Sequence, residues 1–583
     1  MRITRRRIPV RIKIDPVTRI EGHLRLEAEV SGGTVSQAWA SGTMFRGMEI
    51  ILRGRDPREA WIWAQRICGV CTTVHALASV RAVENALGIE IPPNANLVRN
   101  LIAGTQTVHD HVVHFYHLHA LDWVDITGAL QADPVKTSRL AQSISNWPRS
   151  GADEFAATKQ RVKTLVDSGQ LSLFTSGYWG HPAYRLPPEA NLLAVDHYLQ
   201  ALEWQRDVIR VHAVLGGKNP HPQTYLVGGM ATPLDLDSPQ AINQERIDFM
   251  RARLVTMREF VEQVYLPDVL LIASAYKDWF GFGGNTRNFM AYGGIPLTSI
   301  NDAATYFFPR GIVFDRDLST VHGFDETKVT EQVAHSYYEY TGGDMTSLNP
   351  FHGQTNPAYT GPQPPYEWLN TDAKYSWLKS PRYDGHAMEV GPLARTLIAY
   401  ASGSEAVRSQ VDGALKALGA GPDALYSTLG RVAARAIESV LLVQALEGWL
   451  DQLESNLGHG DLRNADTNKW DPGSWPSHAE GWGWHEPPRG SLGHWIVIDN
   501  GKIENYQAVV PTTWNSGPRD SSGQPGPYEQ ALVGVPVADP TRPLELLRTV
   551  HSFDPCLACA VHVLDAERAR ETAHVQVLPT GLG

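Results

Sequence analysis

Two short stretches near opposite ends of the chain decide how it must fold: Arg66-Ile-Cys-Gly-Val-Cys71 and Asp554-Pro-Cys-Leu-Ala-Cys-Ala-Val-His562. Each contains one C-x-x-C pair, and together they account for all 4 cysteines. Thiolates are soft ligands that favour zinc, nickel, copper(I) or iron–sulfur centres, and this spacing lets both sulfurs of a pair reach one metal. We therefore predict that the fold brings the chain ends together around one metal site. Spacing alone leaves a structural Cys₄ zinc site and a catalytic centre equally open.

Length and composition are those of a large folded chain. The 583 residues are 43% hydrophobic, which disfavours disorder. The net charge of −11, with no basic block beyond Arg5-Arg6-Arg7, excludes nucleic acid as the main ligand. No apolar run reaches the roughly 18 residues that a membrane helix requires, and the N-terminus lacks the apolar segment of a secretory signal. We therefore expect any export to depend on the signal of a partner.

Hydrophobic periodicity predicts a mainly α fold with smaller β parts, of the α+β class, around a core of long helices. Alternation from Leu24 to Val30 before a Gly-rich turn predicts an N-terminal β-hairpin, and Asn500-Gly501 predicts a C-terminal hairpin with a type I′ turn. We place the end of the second long helix at Gly216-Gly217 and the start of the third at Asp237-Ser238-Pro239. Helices are predicted near residues 96–121, 189–215, 240–276, 423–453 and 544–551.

These patterns divide the chain into successive regions. A β region covers residues 1–60, and a helical region with the first cysteine pair covers 61–276. Residues 277–392 are rich in Gly, Pro, Asn and aromatic residues, which predicts irregular structure with short strands. A second helical and β region, with the second cysteine pair, covers 393–562.

The sequence around the cysteines resembles one known family. It is similar, from end to end, to the large, catalytic subunit of nickel–iron hydrogenases, and most similar to the membrane-associated respiratory uptake type. The motifs that carry the resemblance are Asp15-Pro-Val-Thr-Arg-Ile-Glu-Gly-His23, Phe45-Arg-Gly-Met-Glu49, Arg66-Ile-Cys-Gly-Val-Cys71, Gly216-Gly-Lys-Asn-Pro-His221, Met388-Glu-Val-Gly-Pro-Leu-Ala-Arg395, Val510-Pro-Thr-Thr-Trp-Asn515 and Asp554-Pro-Cys-Leu-Ala-Cys-Ala-Val-His562.

The resemblance implies a specific metal centre. Cys68 and Cys556 would be terminal ligands of nickel, while Cys71 and Cys559 would bridge nickel to an iron that carries carbon monoxide and cyanide. Such a centre splits dihydrogen reversibly into protons and electrons. Residues 1–562 would form a single large catalytic unit with the fold of the family.

The resemblance also implies roles for residues around the metals. Cys556 would act as a base for the proton released from dihydrogen, and Glu21 would be the first carboxylate to receive it. Arg489 would lie over the open metal position, held there by Asp110 and Asp554. Without the motifs, Glu21 would be interpreted as an ion-pair partner, Arg489 as a solvated charge and Asp554 as a helix cap.

Two further sites follow from the same resemblance. Thr512 matches the hydroxyl group that donates to a cyanide, although it could be an ordinary threonine. Glu49, the backbone carbonyl of Ala508 and His562 match a magnesium site, whose oxygen and imidazole ligands suit a hard cation. The alternative for Glu49 is an ion pair with Arg46 across one helical turn.

Several histidines invite a metal interpretation that the spacing does not favour. Their separations do not put all five of the clustered residues on one helical face, so buried, hydrogen-bonded histidines are the preferred interpretation. His75 and His221 are predicted to line the site or relay protons, with a core position as the alternative. The clustered residues are His109, His111, His114, His117 and His119.

The expected partners follow from counting cysteines. Because the centre would use all 4, electrons must leave through an iron–sulfur-cluster small subunit. The family also implies a cytochrome b-type membrane subunit, a peripheral position on the outer, periplasmic face of the cell membrane, and export with the small subunit. Residues 563–583 resemble an extension that a maturation endopeptidase removes. Two alternatives are a hydrogen-sensing regulatory hydrogenase and a Cys₄ zinc-stapled scaffold subunit related to a complex I subunit.

Overall fold

A computed structural model describes residues 10–171, 174–362 and 368–560. The predicted magnesium ligand His562 and the extension at 563–583 lie outside the described residues. The strands are β1 (Val10–Ile14), β2 (Leu24–Ser31), β3 (Thr34–Gly42), β4 (Tyr225–Leu226), β5 (Gly229–Met230), β6 (Phe289–Ala291), β7 (Gly294–Pro296), β8 (Tyr306–Phe308), β9 (Gly311–Val313), β10 (Val329–Gln332), β11 (Ser380–Tyr383), β12 (His478–His485), β13 (Leu492–Asp499) and β14 (Lys502–Val509).

More of the described residues lie in helices than in strands, which confirms the predicted α+β class. No described helix has the length and apolar character needed to cross a membrane. The helices are α1 (Met48–Leu52), α2 (Ala60–Ala64), α3 (Val74–Leu87), α4 (Pro93–Val113), α5 (Pro134–Ile144), α6 (Ala152–Asp167), α7 (Pro188–Val208), α8 (Arg210–Gly216), α9 (Gln244–Phe260), α10 (Leu266–Ala275), α11 (Pro392–Ala401), α12 (Glu405–Leu418), α13 (Thr428–Gly458), α14 (Pro511–Ser516), α15 (Pro527–Leu532), α16 (Leu544–His551) and α17 (Leu557–Ala560).

The long helices are present, but their predicted ends and continuity are partly wrong. The second is split into α7 and α8, and it ends as predicted, because Gly217 adopts a positive φ of 75°. The third helix is capped by Asn243, whose side chain accepts from the Arg246 amide, and it does not start at Asp237. The fourth begins at Ser427, which caps the amide of Gly430. Single turns of π-helix follow α4 and join α9 to α10.

Both predicted hairpins belong to larger sheets. The N-terminal pair β2–β3 is extended by β1, and the C-terminal pair β13–β14 by β12, with every neighbouring pair antiparallel. The C-terminal turn is Asn500-Gly501, with φ of 45° and 76°, as a type I′ turn requires. The first sixty residues, predicted as a β region, hold β1, β2 and β3 and also the short helix α1. The region predicted to be irregular holds the short strands β6 to β11.

The C-terminal sheet packs directly on α3, the helix that follows the first cysteine pair. Gly481 and Gly483 of β12 lie so close to α3 that a Cβ atom on either would overlap the backbone of that helix. This contact fixes the loop between β12 and β13 above the start of α3. Separately, the Leu557 amide donates to the Glu21 carbonyl at 2.7 Å, and the Glu21 amide donates to Pro555 at 3.3 Å. These two backbone bonds tie the chain ends together beside the cysteines.

Candidate metal centre

The four cysteine sulfurs converge in the interior of the protein. Their Sγ atoms all lie within 4.8 Å of one another, and each residue is at most 4% exposed. The Cys71–Cys559 and Cys556–Cys559 sulfurs are 2.8 and 2.9 Å apart, while Cys68 and Cys556 are separated by 3.5 Å. All four are free thiols. Four soft donors at this spacing fit a thiolate-bound metal centre.

Local structure sets the direction of each cysteine pair. Cys68 is extended after a single 3₁₀ turn, and its Sγ accepts from the Cys71 amide at 3.3 Å, so both sulfurs turn toward one point. At the other pair, the Cys556 amide donates to the Thr512 hydroxyl at 3.1 Å. That bond uses a lone pair of the Thr512 oxygen and leaves its hydrogen available to a second acceptor.

Charge around the cluster differs between the sulfurs. Burial acts to raise the pKa of the Cys68 thiol, but hydrogen bonds with the other cysteines and the nearby Arg489 guanidinium hold it well below its usual value. Burial raises the pKa of Cys556 well above the ordinary range, and its hydrogen bonds with the other thiols act in the same direction. Hydrogen bonds within the cluster thus act on the pKa of Cys68 and of Cys556 in opposite directions.

Glu21 lies against the second cysteine pair. Its Oε2 accepts from Cys556 Sγ at 3.1 Å and from the Ala558 amide at 2.9 Å. Burial raises the pKa of Glu21 to about 7, and the Cys68 charge acts in the same direction. The predicted contact between Glu21 and Cys556 is thus present in the structure.

Arg489 and its two predicted carboxylate partners form a buried cluster. Nη1 donates to Asp110 Oδ2 at 3.1 Å, and Nη2 lies 3.0 Å from Asp554 Oδ1 without hydrogen-bond geometry. Burial opposes the charge of Arg489, but Asp554, Cys556 and Asp110 together hold its pKa well above the usual value. Asp110 also accepts from Gln106 at 2.5 Å, a partner that the sequence did not indicate. Arg489 is therefore a buried, permanently charged group and not a solvated one.

A small cavity opens beside the sulfurs. Arg489 and Thr512, two residues singled out by the resemblance, line this cavity. His75, which was predicted to line the site or relay protons, lines it too. His221 does not line it; its backbone amide bonds to Thr72. The complete lining is Cys71, Val74, His75, Pro487, Arg489, Leu492, Val510, Pro511, Thr512, Cys556 and Cys559.

The predicted magnesium ligands are only partly brought together by the described residues. Glu49 Oε1 accepts from the Ala508 amide at 3.0 Å, so the carboxylate reaches the correct stretch of backbone. Its other oxygen accepts from the Thr355 hydroxyl and lies 3.6 Å from Lys379 Nζ. The alternative pair with Arg46 is absent from the described contacts, since that guanidinium donates to backbone carbonyls. Lys379 is a partner that no sequence signal indicated.

The clustered histidines do not form a metal site within the residues described. His111 bonds to Glu438 at 2.8 Å, His114 to a backbone carbonyl at 2.6 Å and His119 to the Trp123 indole at 3.0 Å. The preference for hydrogen-bonded interior histidines is confirmed for these three. A second group of potential ligands, unlike the cysteines, lies toward the surface: His478, Asp499 and Glu504.

Sequence reasoning missed several buried partners. His75 Nδ1 lies 3.0 Å from His494 Nε2, and His494 Nδ1 lies 2.6 Å from the Tyr506 hydroxyl. Tyr506 in turn donates to Ser79 at 2.9 Å. The signal for Ser79 was its position four residues after His75, one helical turn away.

Comparison with known proteins agrees with this geometry. The model of a family described as "Nickel-dependent hydrogenase" matches residues 46–562, and one described as "HoxL-like" matches residues 11–38. The uptake hydrogenase large subunit of Bradyrhizobium diazoefficiens is 50% identical over 97% of both chains. The hydrogenase-1 large chain of Escherichia coli is 47% identical over 97% of both.

A solved structure supports the same conclusion. The Ni-Fe-Se hydrogenase from Desulfovibrio vulgaris Hildenborough in the reduced state superposes with a TM-score of 0.73 at 35% identity, covering 95% of this chain and 100% of that one. The family model, the identity over nearly the whole chain and the buried thiol cluster agree. The chain therefore belongs to the nickel-dependent hydrogenase family, as a catalytic large subunit.

Proposed function

We propose that the four cysteines hold nickel and iron, with Cys68 and Cys556 as terminal nickel ligands and Cys71 and Cys559 as bridges. The observation that carries this assignment is the convergence of four buried, unbridged thiols within 4.8 Å. The assignment of Cys71 and Cys559 as the bridging pair rests on the family motifs, since Cys559 lies equally close to Cys71 and to Cys556, at 2.8 and 2.9 Å. Carbon monoxide and cyanide would complete the iron, and the Thr512 hydroxyl, whose hydrogen is not used by the Cys556 amide, would donate to a cyanide.

The bound centre supplies the redox and Lewis-acid chemistry that splits dihydrogen heterolytically. The protein then has to move one proton away. Cys556 Sγ receives that proton, and Glu21 Oε2, 3.1 Å away, accepts it in turn. Both atoms already lie within hydrogen-bond reach, so the transfer needs no rearrangement of the chain.

Arg489 contributes a fixed positive charge at the cavity wall. Its guanidinium is buried and lies between Asp110 and Asp554 at the cavity wall. A preorganised charge in a water-poor site polarises a bound molecule more strongly than a solvated charge would. We assign Arg489 to the polarisation of dihydrogen.

Magnesium is proposed at Glu49, the Ala508 carbonyl and His562. The adjacency of Glu49 and the Ala508 backbone supports this site. Lys379 opposes the binding of a cation there, because its ammonium group, 3.6 Å from the Glu49 carboxylate, competes for the same oxygen.

The physiological assignment is hydrogen uptake for respiration, by analogy with the relatives whose names describe uptake hydrogenases. Residues 1–562 act as one catalytic unit. Electrons leave through an iron–sulfur small subunit and a cytochrome b-type subunit, at the periplasmic face of the membrane. A maturation endopeptidase removes residues 563–583.

Elemental analysis of the purified complex, combined with infrared spectroscopy of metal-bound carbon monoxide and cyanide, tests the centre. Nickel and iron with those infrared bands are expected. Zinc alone with no such bands would overturn the catalytic assignment. The intact mass of the active large subunit tests the extension, since a mass that ends at Gly583 would contradict its removal.

A further inference from the structure

Arg489 lies in a tight turn whose shape is set by contacts with other segments of the chain. The turn runs from Pro487 to Gly490, closed by the bond from the Gly490 amide to the Pro487 carbonyl at 3.0 Å. Gly490 has a φ of 128° and packs so closely on the segment before α11 that a Cβ would lie 2.6 Å from the Gly391 nitrogen. Glu486 joins both sides of the loop by accepting from Ser491 at 2.6 Å.

Two buried arginines from other elements hold this turn. Arg395 of α11 donates to the Pro487 carbonyl at 2.8 Å and to the Pro488 carbonyl at 3.3 Å. Arg435 of α13 donates to the same Pro488 carbonyl at 3.2 Å. Both side chains are at most 2% exposed. The backbone immediately before Arg489 is therefore fixed by guanidinium groups.

Glu438 holds the first of these arginines. Its two oxygens accept from Arg395 at 2.7 and 2.8 Å, a bidentate pair, and one also bonds to His111 at 2.8 Å. Burial opposes the charge of Glu438, but Arg395 and His111 hold its pKa at about 2, so it stays ionised. Charge-assisted bidentate pairs of this kind fix orientation as well as charge.

The same cluster reaches the partners of Arg489. His111 follows Asp110 directly on α4, and its Nδ1 lies 3.4 Å from Arg435 Nη1. Arg435 also lies 3.8 Å from Asp554. One neutral tautomer of His111, protonated at Nε2, satisfies both the glutamate and the arginine.

We propose that Glu438, with Arg395 and Arg435, is a positioning unit that sets where the Arg489 guanidinium lies relative to the cysteines. Glu438 is not among the residues that line the cavity, so it acts through Arg395 on the turn and through His111 beside Asp110. This inference rests on the proposed function of Arg489. We name these three residues the turn clamp.

The test uses the matured enzyme purified with its small subunit. In Glu438→Gln the bidentate acceptor loses its charge and an amide NH₂ replaces one of its two acceptor oxygens. Arg395 keeps its bond to Glu486 at 3.0 Å and its bonds to the turn, but loses the charged bidentate contact that orients it from α13. A misplacement of the order of 1 Å near the reacting atoms lowers the rate by about tenfold to a hundredfold. We expect kcat for hydrogen oxidation to fall by this amount with nickel content retained.

Glu84→Gln is the matched control. Glu84 also makes a buried bidentate pair, with Arg99 at 2.7 and 2.9 Å, and also accepts a third bond, from the Gly228 amide, but it does not touch the turn. We expect its kcat to match that of the parent, while its thermal stability falls as in Glu438→Gln. An equal loss of kcat in both variants would show a structural effect alone and overturn the proposal.

A double-mutant cycle separates the clamp from the proposed function. If Glu438 acts through Arg489, the pair Glu438→Gln and Arg489→Lys will lose no more activity than Arg489→Lys alone. Full additivity would refute the clamp. No loss in Arg489→Lys would instead refute the assigned role of Arg489.

Two readouts complete the test. The electron paramagnetic resonance spectrum of a paramagnetic nickel state should shift in Glu438→Gln and remain unchanged in Glu84→Gln; an identical spectrum in both variants would contradict the proposal. If Glu438→Gln yields no folded enzyme, Arg435→Lys enters the same cycle, since lysine keeps the charge but cannot hold the Pro488 carbonyl in the same geometry.

Discussion

Alanine at Gly22 tests how closely the two chain ends must approach at the metal centre. Gly22 has a φ of 83°, and a Cβ there would lie 2.8 Å from Leu557 Cβ and closer still to the Ala558 amide nitrogen. A left-handed conformation costs alanine about 1–2 kcal/mol. Overpacking against a backbone that cannot yield adds about 1–3 kcal/mol. We therefore expect Gly22→Ala to destabilise the protein by about 2–5 kcal/mol.

For activity, the displacement of the two segments that Gly22→Ala forces apart matters more than the loss of stability. Relieving the overlap requires the segments around Glu21 and Cys556 to separate, which lengthens the 3.1 Å contact between carboxylate and sulfur. We expect hydrogen oxidation with an artificial electron acceptor, and hydrogen–deuterium exchange catalysed by the enzyme, to fall together, because both need the proton to leave.

Gly32→Ala is the control for backbone strain. Gly32 also has a positive φ, of 64°, but no atom lies within 4 Å of the position of its Cβ. Gly32→Ala should lose only the stability that the left-handed conformation costs, about 1–2 kcal/mol, and should keep its activity. If Gly22→Ala retains the kcat of Gly32→Ala at equal nickel content, the close approach of the chain ends is not what sustains proton transfer, and the reasoning fails.

Three further changes have defined outcomes. Thr512→Val leaves the buried Cys556 amide without its acceptor and should lower the free energy of unfolding by about 1–3 kcal/mol, which Thr512→Ser should restore in denaturant titration. Lys379→Met removes the ammonium partner of the buried Glu331 carboxylate and should cost about 3–5 kcal/mol, partly recovered by adding Glu331→Gln; no recovery would contradict the pairing. Burial raises the pKa of Glu529 from 4.5 to about 7, so its contribution to stability is full below pH 4.5 and is lost as the pH rises through about 7. Glu529→Gln should therefore flatten the fall in the free energy of unfolding across that range, by about 3 kcal/mol in all, and an unchanged slope in denaturant titrations would contradict it.

The sequence was informative where a local rule decides the structure. Asn500-Gly501 specifies its turn, and Gly217 ends a helix, because both positions require a positive φ. The π turn at His114–His119 has no such signal, since its hydrogen bonds depend on what packs around it. Motif resemblance located the cysteines, Glu21 and Arg489, and the structure then placed these residues together.

The partners of the site were harder to predict for a physical reason. Arg395 belongs to one of the family motifs. Its partner Glu438 belongs to none of them and is one of several acidic residues on the long helix α13, a pattern usual for solvated faces. Lys379 was missed in the same way, because a lysine is seldom buried. Burial of these charges depends on contacts between distant segments, which spacing along one segment does not reveal.

The separation of the two cysteine pairs has a consequence for biosynthesis. Cys68 and Cys556 are 488 positions apart, so at ordinary elongation rates the ribosome makes the second pair roughly 25–100 s after the first. The first two sulfurs must stay reduced during that interval. If the four cysteines hold the metals as proposed, their complete ligation is possible only after almost the whole chain has been made.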